Sequence, residues 1–196
     1  MATYPAIGAT SQAILGLLQS AAVGTEFDGV TFAQYKSTNL AAPMTEGVSL
    51  YLYRLTVSAN RNLPPQIGPD GRRYRPPLPL DLHFLVTAWA TDAIRQQRLL
   101  GFAIRALEDT PVLPSGVLNQ HSPEPQVFRP EETVELVYEN LTVQDIGYIW
   151  DVAQSQEQPS ATYVARMVEI ESPVAMDDGM GLVQTRDLGF TKVVAS

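Results

Sequence analysis

VSLYLYRLTVSANRNLPPQIGPDGRRYRPPLPLDLHFLVTAWA, residues 48–90, decides how the chain folds. Its two ends read as strands. Residues 48–59 are rich in β-branched and aromatic side chains, and alternation puts Val48, Leu50 and Leu52 on one face. Tyr51, Tyr53, Leu55 and Val57 fall on the other. A strand apolar on both faces must be covered on both, so this one is central in a sheet or lies in an assembly interface. In residues 80–90, Leu80, Leu82, Phe84, Val86 and Ala88 share one face, with Asp81, His83, Leu85, Thr87 and Trp89 opposite. Between the strands lie six prolines with Gly68 and Gly71. Pro69-Asp70-Gly71 is a turn signal, because proline presets φ and glycine tolerates a left-handed conformation. The expectation is a hairpin whose strands are joined by a long, locally rigid excursion, and such long connections are usually functional or flexible.

That excursion carries Arg72, Arg73, Tyr74 and Arg75, a basic arm in an acidic chain. Against 21 acidic residues stand 13 basic ones, a net charge of −8. Such a surface argues against nucleic acid as a partner, since phosphate binding needs net or clustered positive charge. Only Lys36 and Lys192 are lysines; the other basic residues are arginines. Arginine is the more weakly hydrated cation and forks onto carboxylates, which suits ion pairs that become buried between subunits. At 196 residues, 45% hydrophobic and 17% charged, the composition is that of a globular chain with one core. There is no cysteine, so disulfides, thiolate catalysis and cysteine-built zinc sites are excluded.

Outward from the hairpin, AILGLLQSAA reads as the first helix, capped by Thr10 or Ser11, with Ile14, Leu15, Leu17 and Leu18 inward. The absence of a preceding Lys or Arg and the short apolar run set it apart from a signal peptide. No stretch approaches the ~20 apolar residues that span a bilayer. GVTFAQYK (29–36) reads as a short strand. Thr91 is expected to cap a helix ending before Thr110-Pro111, with Ala93, Leu100, Ile104 and Leu107 buried. Arg95, Arg98, Phe102 and Arg105 recur at helical spacing on a different face. A solvated basic face is the ordinary reading, while an exposed Phe102 among arginines favours a protein contact. Glu108 and Asp109 sit at the end of the helix dipole that disfavours acids, where Arg105 or a partner cation could compensate. Residues 110–130 read as irregular and 132–139 as a strand. Thr142 and Asp145 resemble a capping box opening a short helix with Ile146, Ile149 and Trp150 inward. Residues 160–172 read as a strand, and from Ser172 the chain resembles a tail or arm that orders on a partner.

Catalytic chemistry finds little support. The only histidines are His83, placed in a strand and read as a packed core residue, and His121 in a loop. LPSGV is not a nucleophile elbow, and no glycine-rich phosphate loop appears. Asp177-Asp178-Gly179 lacks the alternating ligands of a calcium loop and reads as a turn, while Thr142 in Asn140-Leu141-Thr142 reads as a helix cap before a glycosylation site. The expectation is a protein that is not an enzyme and needs no cofactor.

The pattern A-I-x-A-x-x-x-A-I-L-x-L-L at residues 6–18, the whole of 48–114, FRPEETVELVYENLTVQDIGYIWDVA and SATYVARMVEIES resemble tail-terminator, or cap, proteins of extracellular contractile injection systems. These are phage-tail-like particles of the antifeeding-prophage and virulence-cassette kind. The resemblance implies an α/β (α+β) fold: a mixed, mainly antiparallel sheet flanked by helices, with a long Pro/Arg-rich hairpin loop. It implies one domain over residues 1–171 and a C-terminal tail or arm over 172–196. It further implies a hexameric ring on the baseplate-distal end of inner tube and sheath, stopping polymerisation and holding sheath to tube. Assembly in the bacterial cytoplasm, inner-tube and sheath proteins as partners, and no cofactor or direct membrane binding follow from the same resemblance. Arg72, Arg73, Tyr74 and Arg75 then read as an assembly clamp, with Arg95, Arg98, Phe102 and Arg105 as further interface candidates. Three rivals are a connector elsewhere in such a particle, a hydrolase with a carboxylate site assembled across the fold, and a monomeric binding module.

Overall fold

A computed structural model describes residues 4–60, 62–68, 70–122, 124 and 126–176. Pro69, the Asp177-Asp178-Gly179 turn and the rest of the tail lie outside the described residues. The chain order is α1 (Ala6–Ala22), β1 (Thr31–Tyr35), α2 (Ser37–Leu40), β2 (Gly47–Val57), β3 (Gln66–Ile67) and β4 (Arg73–Tyr74). There follow β5 (Leu78–Trp89), α3 (Ala93–Glu108), β6 (Val112–Pro114), α4 (Ser115–Gln120), β7 (Thr133–Glu139), α5 (Val143–Val152) and β8 (Ser160–Ile170). Six strands form one sheet in the order β1-β2-β5-β8-β7-β6, in which only the β1–β2 pairing is parallel. This is the α+β, mainly antiparallel architecture expected. β2 and β5 pair antiparallel as foreseen, and β5 is buried almost throughout because helices cover both of its faces.

The larger core lies between one face of the sheet and α1, α3 and α4, and includes Ile14, Leu18, Val48, Leu50, Leu82, Phe84, Leu99 and Tyr163. A smaller cluster on the opposite face gathers Leu40, Leu85, Trp89, Trp150 and Ala153 beneath α2 and α5. Trp89 donates its indole N–H to Ser49 Oγ at 2.8 Å, whereas the buried indole N–H of Trp150 has no hydrogen-bond partner among the described residues.

Five local expectations need correction. α1 begins at Ala6 after Pro5, and Thr10 and Ser11 lie within it. Their hydroxyls donate to the carbonyls of Ala6 and Ile7 at 2.8 and 3.2 Å, which lets polar side chains sit on a buried helix face. α3 is capped by Asp92, not Thr91: the Asp92 carboxylate accepts from Arg95 N at 2.8 Å. Its fully buried residues are Leu99, Ala103, Ala106 and Leu107; Leu100 and Ile104 are only partly buried and Ala93 is exposed. Residues 110–130 are not irregular throughout, since they hold β6 and α4, with Leu113 and Leu118 in the main core. Finally, β2 carries a bulge at Tyr53, where the ladder passes from Leu52↔Phe84 to Arg54↔His83. One extra residue reverses the alternation beyond it, so Leu55 and Val57 pair with Leu82 and Leu80 and share the face of Val48.

Candidate assembly interface

The arm between β2 and β5 is built from its own residues. Gly71 takes φ +75, in the left-handed region, and its N–H donates to the Gly68 carbonyl at 3.0 Å. Asp70 organises the turn by accepting from Arg72 N at 3.1 Å and from the Tyr74 hydroxyl at 2.8 Å. These bonds hold the Asp70 carboxyl below its ordinary range, the Tyr74 bond contributing most. β3 and β4 then form a two-residue ribbon, Gln66↔Tyr74 and Ile67↔Arg73. The far side of β4 is paired too. Arg75 N donates to the Val174 carbonyl at 3.2 Å and Met176 N to the Arg73 carbonyl at 2.7 Å, around a Tyr74↔Ala175 bridge. The first residues of the expected tail thus extend the ribbon to three segments.

At the base of the arm, Arg129 donates to Gln66 Oε1 at 2.7 Å and pairs with the buried Glu171. Glu131, Glu132 and Glu169 line an adjoining recess of about 300 Å³. Burial, followed by repulsion from Glu132 and Glu171, raises the pKa of Glu169, and burial likewise raises that of Glu171. Arg129 is the cation this recess already contains.

The arginines of the arm and of α3 differ in kind. Arg72, Arg73 and Arg75 are exposed, and among the described residues only Arg72 of the three meets a carboxylate, Asp70 at 3.9 Å. Arg95 forks onto Glu26 and Glu46 at 3.0 and 2.8 Å and lies 4.7 Å from the Phe27 ring centre. Arg98 also reaches Glu26, and Arg105 pairs with Asp109 in the next turn. Phe102 is not an exposed aromatic among arginines. It packs against the main core, 5.1 Å from the Phe27 ring. The reason is the segment after α1, which folds Phe27 into the core and sets Glu26 over the basic face of α3. Glu108, the other acid at that helix end, accepts from the Tyr163 hydroxyl at 3.1 Å.

His83 is buried, as read from its strand. Thr56 Oγ1 lies 3.0 Å from its Nε2 and Glu139 Oε2 lies 3.1 Å from its Nδ1. Glu139 also accepts from the Tyr53 hydroxyl at 2.6 Å; burial first, and that bond next, push the Tyr53 pKa up. His121 is only partly solvated, because it packs against Gly16 of α1. Among the described residues no group of three or more His, Asp or Glu is placed to hold a metal.

The sequence reading missed a groove of about 200 Å³ between β2 and α5, lined by Tyr51, Tyr53, Tyr148, Ile149 and Val152. Tyr148 is 58% and Val152 79% exposed. Asp145, Tyr148, Ile149 and Val152 recur at i, i+3, i+4 and i+7, which aligns them on one stripe of α5. That spacing is the available signal, but of these residues the sequence marks only Ile149, as inward with Ile146 and Trp150.

Comparison with known proteins agrees with this architecture. The fold is similar to that of a sheath/tube terminator in the extended state, from a PVC extracellular contractile injection system solved by cryo-EM. The TM-score is 0.61 at 12% identity, covering 87% of this chain and 58% of that one. It is also similar to the tube-terminating cap of the anti-feeding prophage, with TM-score 0.50 and 13% identity over 94% of this chain and 60% of that one. The chain therefore spans about three fifths of the length of these structures. No curated protein matches it at the sequence level. The profile of the Pvc16 N-terminal domain matches residues 9–182, nearly the full length, and the chain belongs to that family.

Proposed function

We infer that this chain is a structural, non-catalytic terminator of a contractile injection system. In this reading it assembles in the bacterial cytoplasm as a hexameric ring on the baseplate-distal end of inner tube and sheath. There it stops polymerisation and holds sheath to tube. The terminator fold supports the class of protein. The observation that carries the assembly role is the contrast among arginines: those on α3 are neutralised by the chain's own carboxylates, whereas Arg73 and Arg75 have no acidic partner among the described residues. A preordered ribbon presenting unpaired arginines loses little further entropy on binding, and arginine and tyrosine are enriched at interface centres.

Replacing Arg72, Arg73 and Arg75 together by serine tests the role. The expected result is an unchanged far-UV spectrum and Tm, with oligomer formation in native mass spectrometry, alone or with inner-tube protein, weakened about tenfold or more. Normal ring formation and tube-end occupancy by this variant would remove the arm from the assembly.

A further inference from the structure

We propose that the aromatic groove between β2 and α5 is the landing site for the basic arm of a second copy of this chain. The inference rests on the ring-forming reading and adds which surface of the neighbour the arm grips. The first argument is complementarity. Tyr51, Tyr53 and Tyr148 offer rings on which a guanidinium stacks, and Asp145 lies on the same stripe of α5 as Tyr148 and Val152. Glu139, bonded to Tyr53 and His83, adds a second carboxylate beside Tyr53. The groove thus combines aromatic faces with acids, matching Arg73 and Arg75, which have no carboxylate partner among the described residues.

The second argument is that the arm is anchored away from its own chain's groove. The arm leaves the sheet at the end marked by the Val57↔Leu80 and Leu78↔Ile170 pairs. It is held there through Gln66, Arg129 and residues 174–176. The groove lies several residues further along the sheet, where Tyr51 pairs with Leu85 and Glu139 with Thr162. Two unlike, complementary surfaces on one chain make a heterologous contact, which propagates head to tail and closes into a ring when the rotation allows. The acidic recess of Glu131, Glu132 and Glu169 is the competing acceptor. It already contains Arg129 and is bordered by Gln66 of the chain's own arm, so an incoming arm would have to displace that contact.

Because the full chain has no cysteine, a chemical trap gives a clean test. One preparation carries Arg72→Cys and another Val152→Cys, and the two are mixed and treated with a short bismaleimide. Crosslinked heterodimers in the mixture, well above homodimers in either preparation alone, are expected. The double variant should give a ladder of oligomers. In parallel, Asp145→Arg and Tyr148→Ala should each weaken self-association about tenfold in native mass spectrometry, with or without tube protein. Asp145→Asn, which keeps an acceptor for the Thr142 cap, controls for folding of α5. Wild-type rings that neither crosslink through Arg72 and Val152 nor respond to the groove variants overturn the groove while leaving the terminator reading intact. So does a loss of association from Glu131→Arg and Glu132→Arg alone. A wild-type chain that never self-associates, even with tube ends, overturns both.

Discussion

Gly16 sits where α1 meets α4, and a Cβ built on it would lie 2.4 Å from Cγ of His121. The obstacle is the root of a ring rather than the tip of a flexible chain, so relief requires α4 to shift or the imidazole to leave its rotamer. Gly16→Ala is therefore expected to destabilise by about 1–3 kcal/mol, even though alanine is intrinsically the better helix former. Denaturant unfolding measures the loss, and the double variant with His121→Ala should recover most of it. A Gly16→Ala protein as stable as the parent would mean that the two helices are not in contact there. Nothing in the local sequence announces this position: a glycine inside an apolar helical run looks like a weakness until the partner helix is known.

The two-stranded ribbon of the arm draws its order from a segment far away in sequence, residues 174–176. Met176 donates to the Arg73 carbonyl, and proline at 176 has no N–H to give. Met176→Pro should therefore loosen the arm alone: trypsin cleavage after Arg72 and Arg73 accelerates several-fold, while the Tm of the domain stays within about 1 °C. Unchanged cleavage would show that β3 and the turn suffice. The elements divide in the same way as regards legibility. Strands β2, β5, β7 and β8 and helix α5 could be read directly, because their periodicity and caps are local properties. The turn around Gly71 was equally local. The pairing of residues 174–176 with β4 is not written in either segment, since both are too short to carry a pattern. The bulge at Tyr53 was invisible for a related reason: alternation continues smoothly through the sequence, and only the partner strand reveals the extra residue. On α3 the basic face was correctly seen, but its neutralisation by Glu26 and Glu46 is tertiary. The candidate interface was therefore half legible, the cationic side from composition and the aromatic side only once α5 lay beside β2.

At the scale of the whole molecule, a single sheet separates two clusters of unequal size, and β5 contributes side chains to both. Neither cluster can lose its packing without exposing a face of the same strand. Unfolding is accordingly expected to be one cooperative transition, with far-UV circular dichroism and tryptophan fluorescence giving the same denaturant midpoint. A fluorescence change preceding the loss of secondary structure would mean that α5 opens on its own. The fluorescence experiment has an unusual meaning in this protein. Both of its tryptophans, Trp89 and Trp150, lie in the smaller cluster, ring to ring at 6.1 Å, and Ile149 and Tyr51 both pack against that cluster and line the groove. The larger core emits no indole light at all. The unlabelled chain is consequently a one-sided optical gauge, whose colour and polarisation register what happens at the α5 corner and ignore the rest, so that the seating of a neighbour there could be followed in real time without attaching a dye.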